Sequence, residues 1–587
     1  MCLCVLAYVA LAVLATLPAL LHGPSHTLQC GGCSDVGQEV WFLRWPITAF
    51  THGRALLVSD FLNVPYGVNL MQNTSMPLVG VLAAPLVAGF GAVAALNLAF
   101  LVAFASSATA CFAAALRFTD RLGGAFVAGL LYAFSPFMAG QARAHLFLVA
   151  GALPPLMVVC LHELLVRRRR PVVAAALLGL LAAAQFLVSV EVLVVFAVVG
   201  LVAVTAVVVS RLLRHRARPG EAGAADATGR LLAELLLAGA VFAAGAGYPA
   251  YVFLAGPSRP AAPGHPQAIL EHLSTDLAGI VLPNGNERVD LGLASTTKSW
   301  VRQAPVARPG SGDLDENGGY LGLPLLALLA WGVMRARRDP TVRLLAAVAA
   351  VSLLLSLGSR LHVAGHDTGV PLPFALLVKL PLLHGAVAAR FTDAMWLCVA
   401  LLCARLLGTW RRMPSERRTP LLGPGSTARA AAIGLGLLAA VSLLPALPAG
   451  YSSVRVPGWF TSPASRSVPA GTSVLAYPFP RKPHAQEMLW QAVAGIGFRI
   501  PGGQAIFGRT RTSATETVFD SCLATGRPAP LTVRRLALMR DDLRAFDVSR
   551  IVVPLRTRHS LCAVGAIRVA LGRPGRLVAG SEVWSTP

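Results

Sequence analysis

Asp35 and Glu39 stand four residues apart in the stretch Cys33-Ser-Asp35-Val-Gly-Gln38-Glu39-Val-Trp-Phe-Leu-Arg44-Trp45. If a helix begins near Asp35, side chains three and four positions on share its face. Asp35, Gln38 and Glu39 then project together, and Arg44 lies toward the far end. Two carboxylates so placed repel unless a cation, a metal or a shared proton lies between them. Such a pair can supply a general base, or part of the shell of a divalent ion completed by substrate phosphates. The structural alternative makes Asp35 the helix N-cap and Glu39 a solvated rim residue.

A second set of charged residues sits at the ends of apolar runs: Arg143 and His145 in Gln141-Ala-Arg-Ala-His145, Glu191, and Arg390 at the head of Arg-Phe-Thr-Asp393. Each has a plain reading. Arg143 can snorkel toward lipid headgroups, and Arg390 can pair locally with Asp393. Glu191 would cost about 2.5 to 3.5 kcal/mol at bilayer depth and either sits at the water line or serves a function. Asp315 and Glu316 read as solvated acids.

The elements that position these residues are membrane spans. Of 587 residues, 55% are hydrophobic and 13% charged, with a mean hydropathy of +0.64, which excludes an ordinary soluble protein and disorder. The net charge of +23 sits in short clusters between apolar runs and not along one face, so it reports topology and not nucleic-acid binding. Apolar windows predict about eleven spans, at 2–22, 91–116, 123–140, 146–165, 172–190, 192–211, 231–254, 319–334, 342–358, 392–409 and 429–448. Arginine clusters at 167–170, 211–218, 335–338 and 411–418 fall in alternate loops, which are therefore cytoplasmic. The N-terminus is then inside, and residues 23–90, 256–318, 359–391 and those after about 450 are outside.

The first outer loop carries two expected interfacial helices. Gly37 to Thr51 would set Trp41 and Trp45 at headgroup level, and Pro77 to Gly89 is too short to span. Beyond a transmembrane domain over 1–449, residues 450–587 mix the β-rich runs SVLAYPF and SRIVVPL with helical stretches and predict a small α/β domain on the outer face. Its two cysteines, Cys522 and Cys562, face an oxidising compartment in this topology and read as a bridge. Cys30 and Cys33, in Cys-Gly-Gly-Cys, allow a disulfide, free thiols or half of a zinc site. No Walker A, dinucleotide or H-E-x-x-H motif occurs, so no cofactor is indicated, although the acid pair allows a divalent metal.

An acid shortly after the first span, an amphipathic juxtamembrane helix, and a short Pro-Leu-initiated helix closed by Gly before a long second span together resemble the GT-C glycosyltransferase superfamily. The residues that carry this are Asp35, Gln38, Glu39 and Met76-Pro77-Leu78 through Gly91, over residues 1–250 in motif and the whole chain in layout. The layout is similar to that of polyprenyl-phosphate-mannose transferases in a bacterial plasma membrane. The paired acids of the better-known members are here separated by Val-Gly-Gln, which bears on Glu39 more than on Asp35. The resemblance implies inverting transfer of a sugar from a polyprenyl-phosphate-linked donor to a glycan or protein acceptor at the outer face. A phosphate leaving group departs without protonation, so one carboxylate, Asp35, suffices as base, with Glu39 beside it. Gln38, Arg44, Arg143, His145, Glu191 and Arg390 are the expected substrate contacts, the cations meeting the lipid phosphate. A secondary transporter or lipid-linked sugar flippase would instead place ionisable groups at mid-span, and a non-catalytic membrane scaffold would need none of this chemistry. A C-terminal alkaline phosphatase fusion should be active and a cytoplasmic reporter at the same position silent; the reverse pattern refutes the orientation.

Overall fold

The computed structural model describes residues 1–29, 35–217, 224–259, 270, 273–293, 296–297, 316–380, 383–410, 424–448, 450–481 and 486–586. Cys30, Cys33, Asp315 and the arginines at 411–418 lie outside the described residues. The chain is a largely helical polytopic membrane protein with small sheets, the largest near the C-terminus.

Helices occupy all eleven expected positions. Among the described residues eight are long and apolar enough to cross a membrane: Cys2–Leu21, Ala92–Ala115, Leu122–Gln141, Leu146–Arg167, Pro171–Val188, Val190–Leu213, Ala227–Ala255 and Ala388–Gly408. The described apolar stretches of the other three, Leu323–Arg335, Pro340–Ser356 and Ala430–Ser442, are shorter. A 13-residue helix such as Leu323–Arg335 rises only about 20 Å against a hydrocarbon core of about 30 Å. The apolar window at 319–334 ran through a stretch that is not helical. Gly322 has φ +73°, and a Cβ on Gly318 would come within 2.5 Å of the Phe137 backbone, so this segment is threaded through a gap that only glycine leaves.

The chain divides into two compact units. The first comprises Met1–Leu17, Phe100–Ala246 and His265–Gly450. Its centre is the Ala388–Gly408 helix, 72% buried, flanked by Pro340–Ser356 and Leu122–Ala133. Small residues let the backbones approach: a Cβ on Gly124 would lie 3.1 Å from the Ala404 carbonyl oxygen, and one on Gly179 2.3 Å from that of Ala238.

The second unit comprises Pro18–Ala99, Gly247–Gly264 and Tyr451–Pro587. Strand β1 (Thr27–Gln29) pairs antiparallel with β2 (Tyr451–Ser453). Helix α1 (Val36–Thr51) packs against α2 (Pro77–Phe90) and α3 (Gln486–Val493). This corrects the expected interfacial helix. Trp41 and Trp45 are 0% and 2% exposed, stacked with ring centroids 5.2 Å apart, and their indole N–H groups donate to Gln491 Oε1 at 2.6 Å and to the Leu56 carbonyl at 3.0 Å. They face protein, not headgroups. The close fit of α1 on α2 depends on Gly80, whose Cβ would meet Pro46 Cγ at 2.8 Å.

The two β-rich runs form adjacent parallel strands, β3 (Ser473–Ala476) and β4 (Val548–Pro554). Antiparallel strands β5 (Arg576–Val578) and β6 (Ser581–Ser585) complete a four-stranded sheet in the order β3-β4-β6-β5. Leu475, Tyr477, Val518, Phe519, Ile551 and Ile567 fill the core between this sheet and helices α4 (Ala514–Thr525) and α5 (Ser560–Leu571). Cys522 and Cys562, with Cα atoms 5.6 Å apart, form a disulfide that joins these two helices. It closes a loop of 40 residues, for which the chain-entropy account gives about 3 to 4 kcal/mol. Replacing both cysteines by serine should lower the thermal midpoint of the full chain in detergent and abolish its sensitivity to reductant; an unchanged midpoint refutes a stabilising role.

Candidate functional site

The charged residues singled out from the sequence fall into two groups, one in each unit. In the second unit, Asp35 is the residue before the first turn of α1, with φ −100° and ψ −18°, but its side chain makes no capping bond. Its main-chain oxygen accepts the N–H groups of Gln38 and Glu39 at 3.0 and 3.1 Å. The carboxylate instead takes a hydrogen bond from Gln504 Nε2, and the Gln504 main-chain N–H meets Met488 Sδ at 3.1 Å. The N-cap reading is thereby corrected: Asp35 is partly exposed and held from a segment more than four hundred residues away.

Gln38 turns away from Asp35 and donates to Thr74 Oγ1 at 3.1 Å. Glu39 is 1% exposed, so it is no solvated rim residue. The one-face grouping of Asp35, Gln38 and Glu39 therefore yields one partly exposed carboxylate and two buried polar groups. Arg44 is half-buried, and that burial lowers its pKa. Its buried Nε has no acceptor, and it makes no ion pair among the described residues. Beside it, Gly495 sits at φ +92°, and a Cβ there would lie 3.6 Å from Arg44 Nη2.

Sequence reading missed Glu487 on α3. It is 1% exposed, neither carboxylate oxygen has a hydrogen-bond partner among the described residues, and burial pushes its carboxyl up to about 8. The signal was present: Glu487 lies one turn before Gln491, which bonds Trp41, so it shares the face that α3 turns to the core.

In the first unit, Arg143, His145, Glu191 and Arg390 belong to one polar network. His145 Nδ1 donates to Gln141 Oε1 at 2.6 Å, and Gln141 Nε2 donates to Glu316 Oε2 at 3.3 Å. Glu316 Oε1 accepts from Arg390 Nη2 at 2.9 Å, and Arg390 also pairs with Glu191 and lies over the Phe147 ring. Two expectations are corrected. Arg390 pairs with Glu191 and Glu316, acids remote in sequence, and not with Asp393; and Glu316, with an 8% exposed side chain, is not a solvated acid. With two carboxylates on it, Arg390 has no surplus charge for a phosphate.

Arg143 differs. Its Nε donates to Asn286 Oδ1 at 3.3 Å and its Nη2 to the Gly285 carbonyl at 2.8 Å, so it reaches a protein loop and does not snorkel. No carboxylate ion-pairs with it among the described residues. The loop is the turn Asn284-Gly285-Asn286-Glu287, which sequence reading passed over. Asn284 and Asn286 are both 0% exposed, and both donate to the Asn317 carbonyl, at 3.0 and 3.1 Å. A cation held only by neutral acceptors keeps its charge for an anion. No group of three or more His, Cys, Asp or Glu that could hold a metal ion occurs among the described residues.

Residues 5–423 match the domain family described as DUF6311, a domain of unknown function. No curated protein matches the chain in sequence. Among solved structures, the cryo-EM structure of the arabinofuranosyltransferase AftD from Mycobacteria is 15% identical, with a TM-score of 0.53, over 99% of this chain and 39% of that one. The crystal structure of an Archaeoglobus fulgidus oligosaccharyltransferase, in complex with Zn and sulfate, is 12% identical, with a TM-score of 0.46, over 97% of this chain and 71% of that one. The chain thus spans about two fifths of the arabinofuranosyltransferase it matches. At that level of similarity the chain shares the fold of this membrane enzyme, and with a match across most of its length it belongs to the DUF6311 family.

Proposed function

We propose that this protein is an integral membrane glycosyltransferase that moves a sugar from a polyprenyl-phosphate-linked donor to an acceptor at the outer membrane face, with inversion and with Asp35 as general base. The observation that carries this is the release of the Asp35 carboxylate from helix capping: partly exposed at the head of a buried helix, it is oriented by Gln504. Glu39 and Glu487 are sequestered, so Asp35 is the acid of this group best placed to accept a proton from a substrate hydroxyl. In the reaction the acceptor oxygen bonds the anomeric carbon as the carbon–phosphate-oxygen bond opposite breaks, the hydroxyl proton passes to Asp35, and the lipid phosphate leaves as an anion. Arg44, in the same unit as Asp35, and Arg143, in the other unit, each carry no ion pair among the described residues, so either cation can meet a phosphate. The fold shared with an arabinofuranosyltransferase supports glycosyl transfer, and the Cys522–Cys562 disulfide supports an extracytoplasmic C-terminal region. A flippase or transporter reading draws on Asp393, 2% exposed within the Ala388–Gly408 helix.

Radiolabelled polyprenyl-phosphate sugars and the purified full chain separate these readings: an enzyme releases transferred label, whereas a flippase only moves it between leaflets. Asparagine at position 35 can still accept the Gln504 bond. Asp35→Asn should therefore fold and bind donor normally while turnover falls by about 100-fold; near wild-type transfer refutes the assignment. Arg390→Gln tests the structural role given to that residue. It takes the cation from the buried Glu316 carboxylate and from Glu191 and should lower stability by about 3 kcal/mol, read as a lower thermal midpoint. An unchanged midpoint with lost donor binding would return Arg390 to the substrate.

A further inference from the structure

The turn that holds Arg143 carries an acid with no sequence motif to mark it. Glu287 is 3% exposed; its Oε2 accepts the Asn284 N–H at 2.7 Å, and its buried Oε1 has no hydrogen-bond partner. The turn is pinned by its main chain: Arg288 N–H donates to the Leu444 carbonyl and Ala446 N–H to the Asn286 carbonyl, each at 2.7 Å. The Glu287 carboxyl and the Arg143 guanidinium are thus fixed by adjacent residues of one rigid loop.

We propose that the Asn284–Glu287 turn is the positioning element of a phosphate site, in which the asparagines aim Arg143 and the Glu287 carboxyl sets how much of the Arg143 charge a bound phosphate feels. The proposal rests on the reading of the donor as a polyprenyl phosphate and deepens it by naming the residue that tunes the cation. Burial pushes the Glu287 carboxyl up to about 8, against the opposing influence of the Asn284 and Glu287 N–H groups and of Arg143, and with Asp290 acting in the same direction as burial. Tyr320 is a further titratable group whose ionisation Glu287 affects, and its own pKa is raised by burial. Below about pH 8, Glu287 is therefore neutral and Arg143 presents its full charge. As pH rises through that value the new carboxylate offsets it, so phosphate affinity falls.

The test is equilibrium binding of radiolabelled polyprenyl monophosphate to the full chain in phosphatidylcholine nanodiscs, from pH 7 to pH 9, with inorganic phosphate as competitor. Wild-type affinity should fall about tenfold across that range, the scale of one screened unit charge nearby. Glu287→Gln should bind as wild type does at pH 7 and show no fall, and Arg143→Gln should bind about tenfold more weakly with no pH dependence. Asn286→Asp sets a permanent carboxylate against Arg143 Nε and should weaken binding even at pH 7. A pH-dependent fall that persists in Glu287→Gln, or wild-type affinity in Arg143→Gln or Asn286→Asp, overturns the proposal. Competition by inorganic phosphate supports a site for the phosphate group alone, and its failure while the lipid binds supports recognition of the lipid headgroup. Binding of neither overturns it. The arms are separable from the catalytic reading: pH-dependent binding with transfer intact in Asp35→Asn removes only the base, and Asp35-dependent transfer with flat binding removes only the Glu287 role.

Discussion

The placement of Asp35 depends on a buried amide. Gln491 is 0% exposed; its oxygen takes the Trp41 indole N–H, and its Nε2 donates to the carbonyls of Phe61 and Phe498. That one side chain ties α1 to α3, to the loop around Phe61 that follows α1, and to the segment that leads to Gln504. A buried polar group costs about 1 to 3 kcal/mol when its partner is removed, so the cluster fits only when every member is seated. Because α1 is locked at its middle by Trp41 and by the stacked Trp45, its first turn is fixed as well, and Asp35 meets Gln504 without having to cap the helix. The carboxylate is positioned by a tryptophan two turns away.

The first unit solves a related problem by charge. Its helix ends and loops carry Arg143, Glu191, Glu316 and Arg390, each of which would be expensive alone beside apolar helices. Arg390 is offset by two carboxylates, and the network continues through Gln141 to His145. Arg143 ion-pairs with no carboxylate among the described residues and is satisfied by an amide oxygen and a main-chain carbonyl. Similar arginines thus end in opposite electrostatic states, one neutralised and structural, the other retaining charge.

All eleven helical positions were legible because apolar runs and arginine clusters are local signals, and so were the strands at SVLAYPF and SRIVVPL. The burial of α1 was not. Periodicity shows that a face of Val36–Thr51 is covered and cannot say whether lipid or protein covers it; the cover comes from Gln491, 450 residues on. Arg143 and Arg390 could be flagged as cations at span ends, but their states are set by Asn286, 143 residues away, and Glu316, 74 residues away. Glu287 and Glu487 were passed over because an isolated acid in a loop or helix reads as solvated until the packing around it is known. Glycine misled the reading of 319–334: a window average counts Gly319 and Gly322 as compatible with a span, whereas Gly319 fits against Thr275 and Gly322, at φ +73°, against Tyr320 and Ser442.

The second unit draws its strands and helices from three stretches separated by hundreds of residues, and that has a consequence for how the protein is made. At about 5 to 20 residues per second of synthesis, Gln491 emerges some 20 to 90 seconds after Trp41. Throughout that interval the Trp41 indole N–H lacks the acceptor that later takes it, while the spans of the first unit are already being inserted. The buried state of α1 is therefore reached only when the last quarter of the protein, which carries Gln491, is complete.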